Sequence, residues 1–367
     1  MTVVRSDISR LLRPALAGLK GYPAPQPLEE FARSLGVRPE DVVKLDQNEN
    51  PYGCSPRVPE ALATFPWYHV YPDPDHRALR ERLGEYTGVD PSAIFLGNGS
   101  DELIELLLRL FVEPGDRVIS AAPTFGYYAT AADVSGAEYL TVPRGSRFEI
   151  AVDAVANAVN DRTKLIFVAS PNNPTGNATP LEAIERLLAL DCLVVVDEAY
   201  FEFSGQTALP LLRDGAENLV VLRTFSKWAG LAGLRLGYGI FPTALQSIVA
   251  AAKAPYSVSQ AAEVAGLASL DDLDYLRSTV DKILVERDRL SEGLAATGLL
   301  APFPSDANFL LCEVQRMSAE ELQTELTRRA ILVRRYDSPR LENCLRISVG
   351  RPEQNERLLT ALREIGE

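Results

Sequence analysis

Between Lys44 and Tyr256 the chain alternates two hydrophobic periodicities, and this alternation restricts the fold more than any other feature. Asp101 to Phe111 repeats its apolar residues at helical spacing, whereas Arg117 to Ser120, Lys164 to Ser170, Leu193 to Asp197 and Leu219 to Thr224 are short apolar runs bounded by turn residues. A strand without a polar face has to be covered on both sides. Such strands, separated by helical stretches, predict an α/β fold with a mostly parallel sheet sandwiched by helices. Beyond Tyr256 the texture changes to one long helical segment, Val258 to Leu294, and then short strands at Asn308 to Val314, Ile331 to Arg334 and Cys344 to Val349. With 367 residues, more than one core usually serves, two lobes around a shared cleft are expected. The reading is an N-terminal arm (1–45), a large domain (46–256) and a smaller α+β domain (257–367). The arm has proline-rich turns and one amphipathic stretch, Pro27 to Leu35, too little apolar surface to fold alone, so it is expected to lie on the small domain and on a second subunit of a homodimer.

Charge narrows the partners. A formal net charge of −13 repels polyanions, so nucleic acid is not expected, and an anionic ligand must be held by a few locally placed cations and backbone amides. Cys54, Cys192, Cys312 and Cys344 lie far apart without the spacing of a zinc site or redox dithiol, and they read as reduced thiols. His69 and His76 have no partner carboxylate or cysteine at ligand spacing, so they read as structural or surface residues and no metal is expected. The first seven residues lack the apolar core of a signal peptide, and no apolar run approaches the roughly 20 residues that span a bilayer; a cytoplasmic protein follows.

The richest segment for chemistry is Arg223 to Tyr238, which sets Lys227 among hydroxyls at the end of an apolar strand. Partial burial and a neighbouring cation, for which Arg235 is a candidate, would lower the amine pKa and make it a nucleophile. Thr224, Ser226 and Arg235 could cap a phosphate, and Gly230, Gly233 and Gly237 suggest close backbone approach. Taken alone, a lysine after a strand is usually a solvated surface residue. Asp197 ends another strand, where ligands of open α/β sheets bind; it could pair with a protonated ring nitrogen or simply cap a helix. Asn172 and Asn173 stand in a proline turn that they could merely build, and Gly97 to Glu102 opens a helix whose amides could receive an anion. That loop half matches a dinucleotide fingerprint, but Glu102 stands where close helix packing needs a small residue.

Together, Lys44 to Gly53, Tyr71 to Asp73, Gly97 to Glu102, Pro123 to Gly126, Ser170 to Gly176, Val196 to Tyr200, Ser226-Lys227 and Leu345 to Gly350 resemble, in order, the histidinol-phosphate aminotransferase family of fold type I pyridoxal-phosphate enzymes. The resemblance implies that Lys227 carries pyridoxal 5′-phosphate as a Schiff base, that Asp197 pairs with its pyridine nitrogen, and that Tyr200 and Asn173 bond its phenolic oxygen. It implies a stacking role for Phe125 and a phosphate site made by Ser100, Asp101, Thr224, Ser226, Arg235 and, from a second subunit, Tyr71. Arg346 is implied for the substrate carboxylate, and Tyr22 and Arg334 for the distal phosphate, with Asn173 also touching substrate.

Two positions depart from the family pattern: Phe125 stands where tyrosine is common, and Arg335 where an acidic residue is common. The first keeps its ring; the second either adds charge at the distal site or faces solvent. The activity implied is transfer of the amine of L-histidinol phosphate to 2-oxoglutarate, giving imidazole acetol phosphate and L-glutamate in histidine biosynthesis. An aromatic amino acid aminotransferase and a phospho-amino-acid decarboxylase are the rival readings with the same cofactor. A cofactor-binding transcription regulator is disfavoured because no basic extension precedes Tyr22.

Overall fold

The structure, a computed structural model, describes residues 8–13, 16, 18, 19, 21, 22 and 26–367. Part of the expected arm, including the first seven residues, lies outside the described residues. At the end of the arm the chain forms the short strand β1 (Val43–Leu45). It continues through β2 (Ile94–Asn98), β3 (Arg117–Ala122), β4 (Glu138–Pro143), β5 (Thr163–Ala169), β6 (Leu193–Asp197), β7 (Leu219–Thr224) and β8 (Leu236–Ile240). These seven make one sheet in the order β2-β8-β7-β6-β5-β3-β4. Every pair from β7 to β4 is parallel, and β8 runs antiparallel to both its neighbours.

The apolar runs explain why this sheet is covered on both faces. In β6, Val194 and Val196 enter one core cluster while Leu193 and Val195 enter another; β7 divides Leu219 and Val221 from Val220 and Leu222 in the same way. Successive strand side chains point to opposite faces, so the two clusters are the two sides of the sheet. Leu222 is wholly buried, and truncating such a leucine to alanine costs about 2–5 kcal/mol.

A second sheet, ordered β1-β11-β12-β10-β9, combines β1 with β9 (Leu300–Pro302), β10 (Phe309–Val314), β11 (Ile331–Arg335) and β12 (Cys344–Ser348). Only β1 and β11 pair in parallel; the other contacts are antiparallel. The arm helix Leu28–Leu35 ends at Gly36 and buries Phe31 and Ala32 against Val42 and Ala330 beside this sheet.

The long helical segment expected from Val258 to Leu294 is two helices, Gln260–Leu270 and Leu273–Ala296. The break falls at Asp271-Asp272, residues that favour helix ends over interiors. It is fastened from outside: Arg82 reaches Asp271 at 2.7 Å, Ser55 bonds Asp272, and Arg57 donates to the Asp271 carbonyl at 2.8 Å. The second helix spans both cores, with Leu276, Val280 and Ile283 in the large one and Leu290 and Leu294 in the small one. This helix therefore bridges the two cores.

Candidate active site

The carboxyl ends of β5, β6 and β7 face the second sheet across a cleft whose cavity measures about 430 Å³. Ligands of open α/β sheets bind beyond these strand ends because loops and helix N-termini converge there. Lys227, three residues past β7, donates to the Gln47 carbonyl at 3.1 Å. Burial lowers its pKa to about 8, with Arg346 the largest neighbouring contribution and Arg235 a lesser one. The cation expected beside the lysine is therefore chiefly Arg346, from the other sheet. Relative to an ordinary lysine at 10.5, neutral amine at pH 7 rises by roughly a few hundredfold.

Asp197 closes β6 and is 5% exposed. Its Oδ2 accepts from the Tyr128 hydroxyl at 2.7 Å and its Oδ1 from the Ala199 amide at 3.2 Å. Burial pushes its pKa up to about 6, so the carboxylate has too few partners for its charge. It does not cap the next helix, Phe201–Ser204, whose N-cap position is Tyr200.

An anion cradle forms where the helix Gly99–Phe111 begins. Ser100 and Asp101 lie in its first turn, where amides lack intrahelical acceptors and the dipole favours negative charge. Asp101 pairs with Arg235 at 2.8 Å, and the Thr224 hydroxyl donates to Ser226 at 2.9 Å. Gly237 is required here, since a Cβ would lie 2.4 Å from the Ser100 nitrogen. Gly230, at φ +67, abuts Gly53 as tightly, whereas Gly233 has nothing within 4 Å and only lines the cleft.

At the other end, Arg334 of β11 and Arg346 of β12 are direct register partners. Arg346 donates to Asn173 Oδ1 at 2.7 Å and to the Asp46 carbonyl, while its Nε is buried with no bonded partner among the described residues. Its guanidinium lies over Phe309, and Tyr336 lies about 6 Å from both arginines. Tyr22 completes this end, its ring edge-on to Phe125 at 6.0 Å. Strand alternation sends Arg335 elsewhere: it pairs with Asp337 and does not line the cleft. Asn172 is a turn builder, bonded to Pro123, Thr124 and Thr175, whereas Asn173 lines the cleft. Tyr71 is away from its own cleft, 77% exposed and stacked on Tyr256.

Several contributors escape a reading of local pattern. Tyr128, which bonds Asp197, stacks on Phe167 at 4.6 Å and meets Phe125 edge-on. The segment Asp46 to Glu49 lines the cleft and offers backbone carbonyls to Lys227 and Arg346. His76 is structural, with a carboxylate partner from far along the chain: its Nδ1 lies 2.7 Å from Glu263, and both are buried. They are too distant in sequence for spacing to reveal. Among the described residues no group of three or more histidine, cysteine or acidic side chains could hold a metal, and no helix is long and apolar enough to cross a membrane.

Comparison with known proteins adds the family. The family described as aminotransferase class I and II matches residues 40–362. A histidinol-phosphate aminotransferase of Roseiflexus castenholzii is 47% identical, covering 98% of this chain and 99% of the relative. One from Dehalococcoides mccartyi is 45% identical with the same coverage. The crystal structure of histidinol-phosphate aminotransferase from Sinorhizobium meliloti, in complex with pyridoxal 5′-phosphate, superposes with a TM-score of 0.86 at 27% identity, covering 100% of this chain and 98% of that one.

Proposed function

Since the chain belongs to the histidinol-phosphate aminotransferase family of class I and II aminotransferases, we propose that it transfers the amine of L-histidinol phosphate to 2-oxoglutarate, yielding imidazole acetol phosphate and L-glutamate. The reaction belongs to histidine biosynthesis and uses pyridoxal 5′-phosphate. The observation that carries the reading is a single cleft holding a half-buried lysine of lowered pKa, a buried carboxylate short of partners, an anion cradle and a pair of arginines.

The residues fit the cofactor. Among the described residues Asp197 has no cationic partner, which a protonated ring nitrogen would supply, and Gly237 leaves the Ser100 amide open to a phosphate. We assign Lys227 to the covalent attachment and Phe125 to the ring face. Asn173 and Tyr200 are assigned to the phenolic oxygen, and Ser100, Asp101, Thr224, Ser226 and Arg235 to the phosphate. Pyridoxal phosphate, when bound, supplies an electron sink for charge left at the substrate Cα. Lys227 Nζ, released when the substrate amine takes its place, removes the Cα proton; such general base catalysis contributes about 10²–10⁴ in rate. Asp197 keeps the ring nitrogen protonated throughout.

Histidinol phosphate has no carboxylate, so Arg334, Arg346 and Tyr22 grip its phosphate, and the same guanidinium groups serve the carboxylates of 2-oxoglutarate in the second half of the cycle. The orphaned Arg346 Nε is a donor available to either anion. The working state is a cytoplasmic homodimer in which Tyr71 reaches the phosphate site of the second subunit; its exposure beside Trp67, Tyr68 and Val70 supports an interface there. The test is to supply histidinol phosphate, phenylalanine or tyrosine as donor with 2-oxoglutarate and measure glutamate. Histidinol phosphate should have the highest kcat/KM; preference for phenylalanine or tyrosine would refute the substrate assignment.

A further inference from the structure

Asn48 holds an unusual position for a residue with a side chain. It is 1% exposed and has φ +56, in the left-handed region that asparagine tolerates better than most residues. Its polar groups are all engaged. The backbone amide donates to Ser348 Oγ at 2.8 Å, and the backbone carbonyl accepts from Asn308 Nδ2 at 3.0 Å. The Ser348 hydroxyl donates to Asn48 Oδ1 at 3.0 Å, and Asn48 Nδ2 donates to the Tyr200 oxygen at 2.9 Å.

This pattern fixes which way the amide points. Ser348 already accepts the Asn48 backbone N–H and has one proton to give, which requires an acceptor, so Oδ1 faces Ser348 and Nδ2 faces Tyr200. The reversed amide would set two donors against the serine oxygen and leave its proton unused. Tyr200, 5% exposed and edge-on to Phe309, thus receives a hydrogen bond from behind. Its own proton has no bonded acceptor among the described residues, while its ring lines the cleft with Lys227 and Asn173.

We propose that Asn48 is a positioning residue: by donating to the Tyr200 oxygen it turns the phenol's proton into the cleft, onto the phenolic oxygen of the cofactor. The inference rests on the cofactor orientation assigned under the proposed function. Ser348 acts one step further back by holding the amide the right way round. Because Ser348 lies two residues from Arg346 in β12, the tyrosine's orientation is tied to the sheet that carries the substrate arginine.

The test is a pH titration of the visible absorbance of the holoenzyme, which reports the proton shared between the lysine link and the phenolic oxygen. A donor on that oxygen draws off negative charge, so losing the donor should raise the midpoint. Tyr200→Phe should raise it by about one unit or more, the worth of one hydrogen bond to a charged group. Asn48→Asp should shift it comparably, because a carboxylate would take the tyrosine proton for itself. Asn48→Gly, which keeps the left-handed backbone, should give a smaller rise, and none in a Tyr200→Phe background. Ser348→Ala is the milder variant and should move the midpoint in the same direction. A lowered melting temperature with an unmoved midpoint in the Asn48 and Ser348 variants would reduce Asn48 to a structural role and overturn the proposal. So would an Asn48→Gly shift that persists without the tyrosine hydroxyl. A normal absorbance band with no effect of Tyr200→Phe would also overturn it, whereas a wild-type protein that never forms the band would refute the functional assignment itself.

Discussion

Asp197→Asn should make the cofactor-free protein more stable and the cofactor-bound enzyme worse. Asp197 has a pKa raised from 3.8 to about 6, chiefly by burial, with the Tyr128 hydroxyl and the Ala199 amide as the hydrogen bonds that offset its charge. Between these two values the native state binds more protons than the unfolded chain, so the stability of the free protein falls as pH rises through this window. At about 1.36 kcal/mol per unit, the shift amounts to about 3 kcal/mol of destabilisation, complete above pH 6 and absent below 3.8. Asparagine removes the charge at nearly the same volume. The assay is thermal or urea unfolding of both cofactor-free proteins from pH 4 to 8. The variant should gain on the wild type as pH rises, by up to about 3 kcal/mol at pH 7. With cofactor bound this lead should shrink or vanish, because the variant lacks the charge-assisted bond to the ring nitrogen, about 1.5–3 kcal/mol, and turnover should fall with it. A stability difference that does not change with pH would refute this account of the buried carboxylate, and near-normal turnover in the variant would remove Asp197 from the chemistry.

Lys227→Ala should abolish covalent cofactor attachment; borohydride reduction and peptide mapping of the wild type should label Lys227 and not Lys164, Lys253 or Lys282. Gly237→Ala should lower cofactor affinity in an equilibrium binding assay at least tenfold, since the added methyl meets the Ser100 amide at the phosphate cradle. Arg334→Ala should raise KM for histidinol phosphate by roughly tenfold to a hundredfold, the loss of a charge-assisted bond, while leaving any activity on phenylalanine nearly intact; equal losses would make it scaffold. Mixing inactive Lys227→Ala and Tyr71→Ala chains should restore partial activity if Tyr71 acts across the subunit interface, and verified heterodimers without recovery would exclude that role.

What the sequence revealed were features written locally. A strand buried on both faces needs an unbroken apolar run, so β5, β6 and β7 are visible residue by residue, and their carboxyl ends bring Asp197 and Lys227 into view. What it concealed were pairings made by chain reversal. The lysine's strongest cationic neighbour is Arg346 from the second sheet, not Arg235 nearby, and its hydrogen-bond acceptor is a backbone carbonyl at Gln47, which no side-chain pattern could announce. Tyr128 looks like one more apolar helix residue until its hydroxyl is found on Asp197. Helical periodicity ran through Asp271-Asp272 because the apolar spacing resumes beyond them; the break is held by Arg57, Arg82 and Ser55, all distant in sequence. Arg335 drew attention as a departure from the family pattern, and strand alternation takes it out of the cleft.

The most direct test of the proposed chemistry omits the acceptor. Holoenzyme mixed with L-histidinol phosphate alone should lose its lysine-linked absorbance and release one equivalent of imidazole acetol phosphate per site, and 2-oxoglutarate added afterwards should restore the absorbance as glutamate forms. If histidinol phosphate leaves the absorbance unchanged while phenylalanine discharges it, the account is wrong about the substrate. If neither donor yields a keto product, it is wrong about amine transfer.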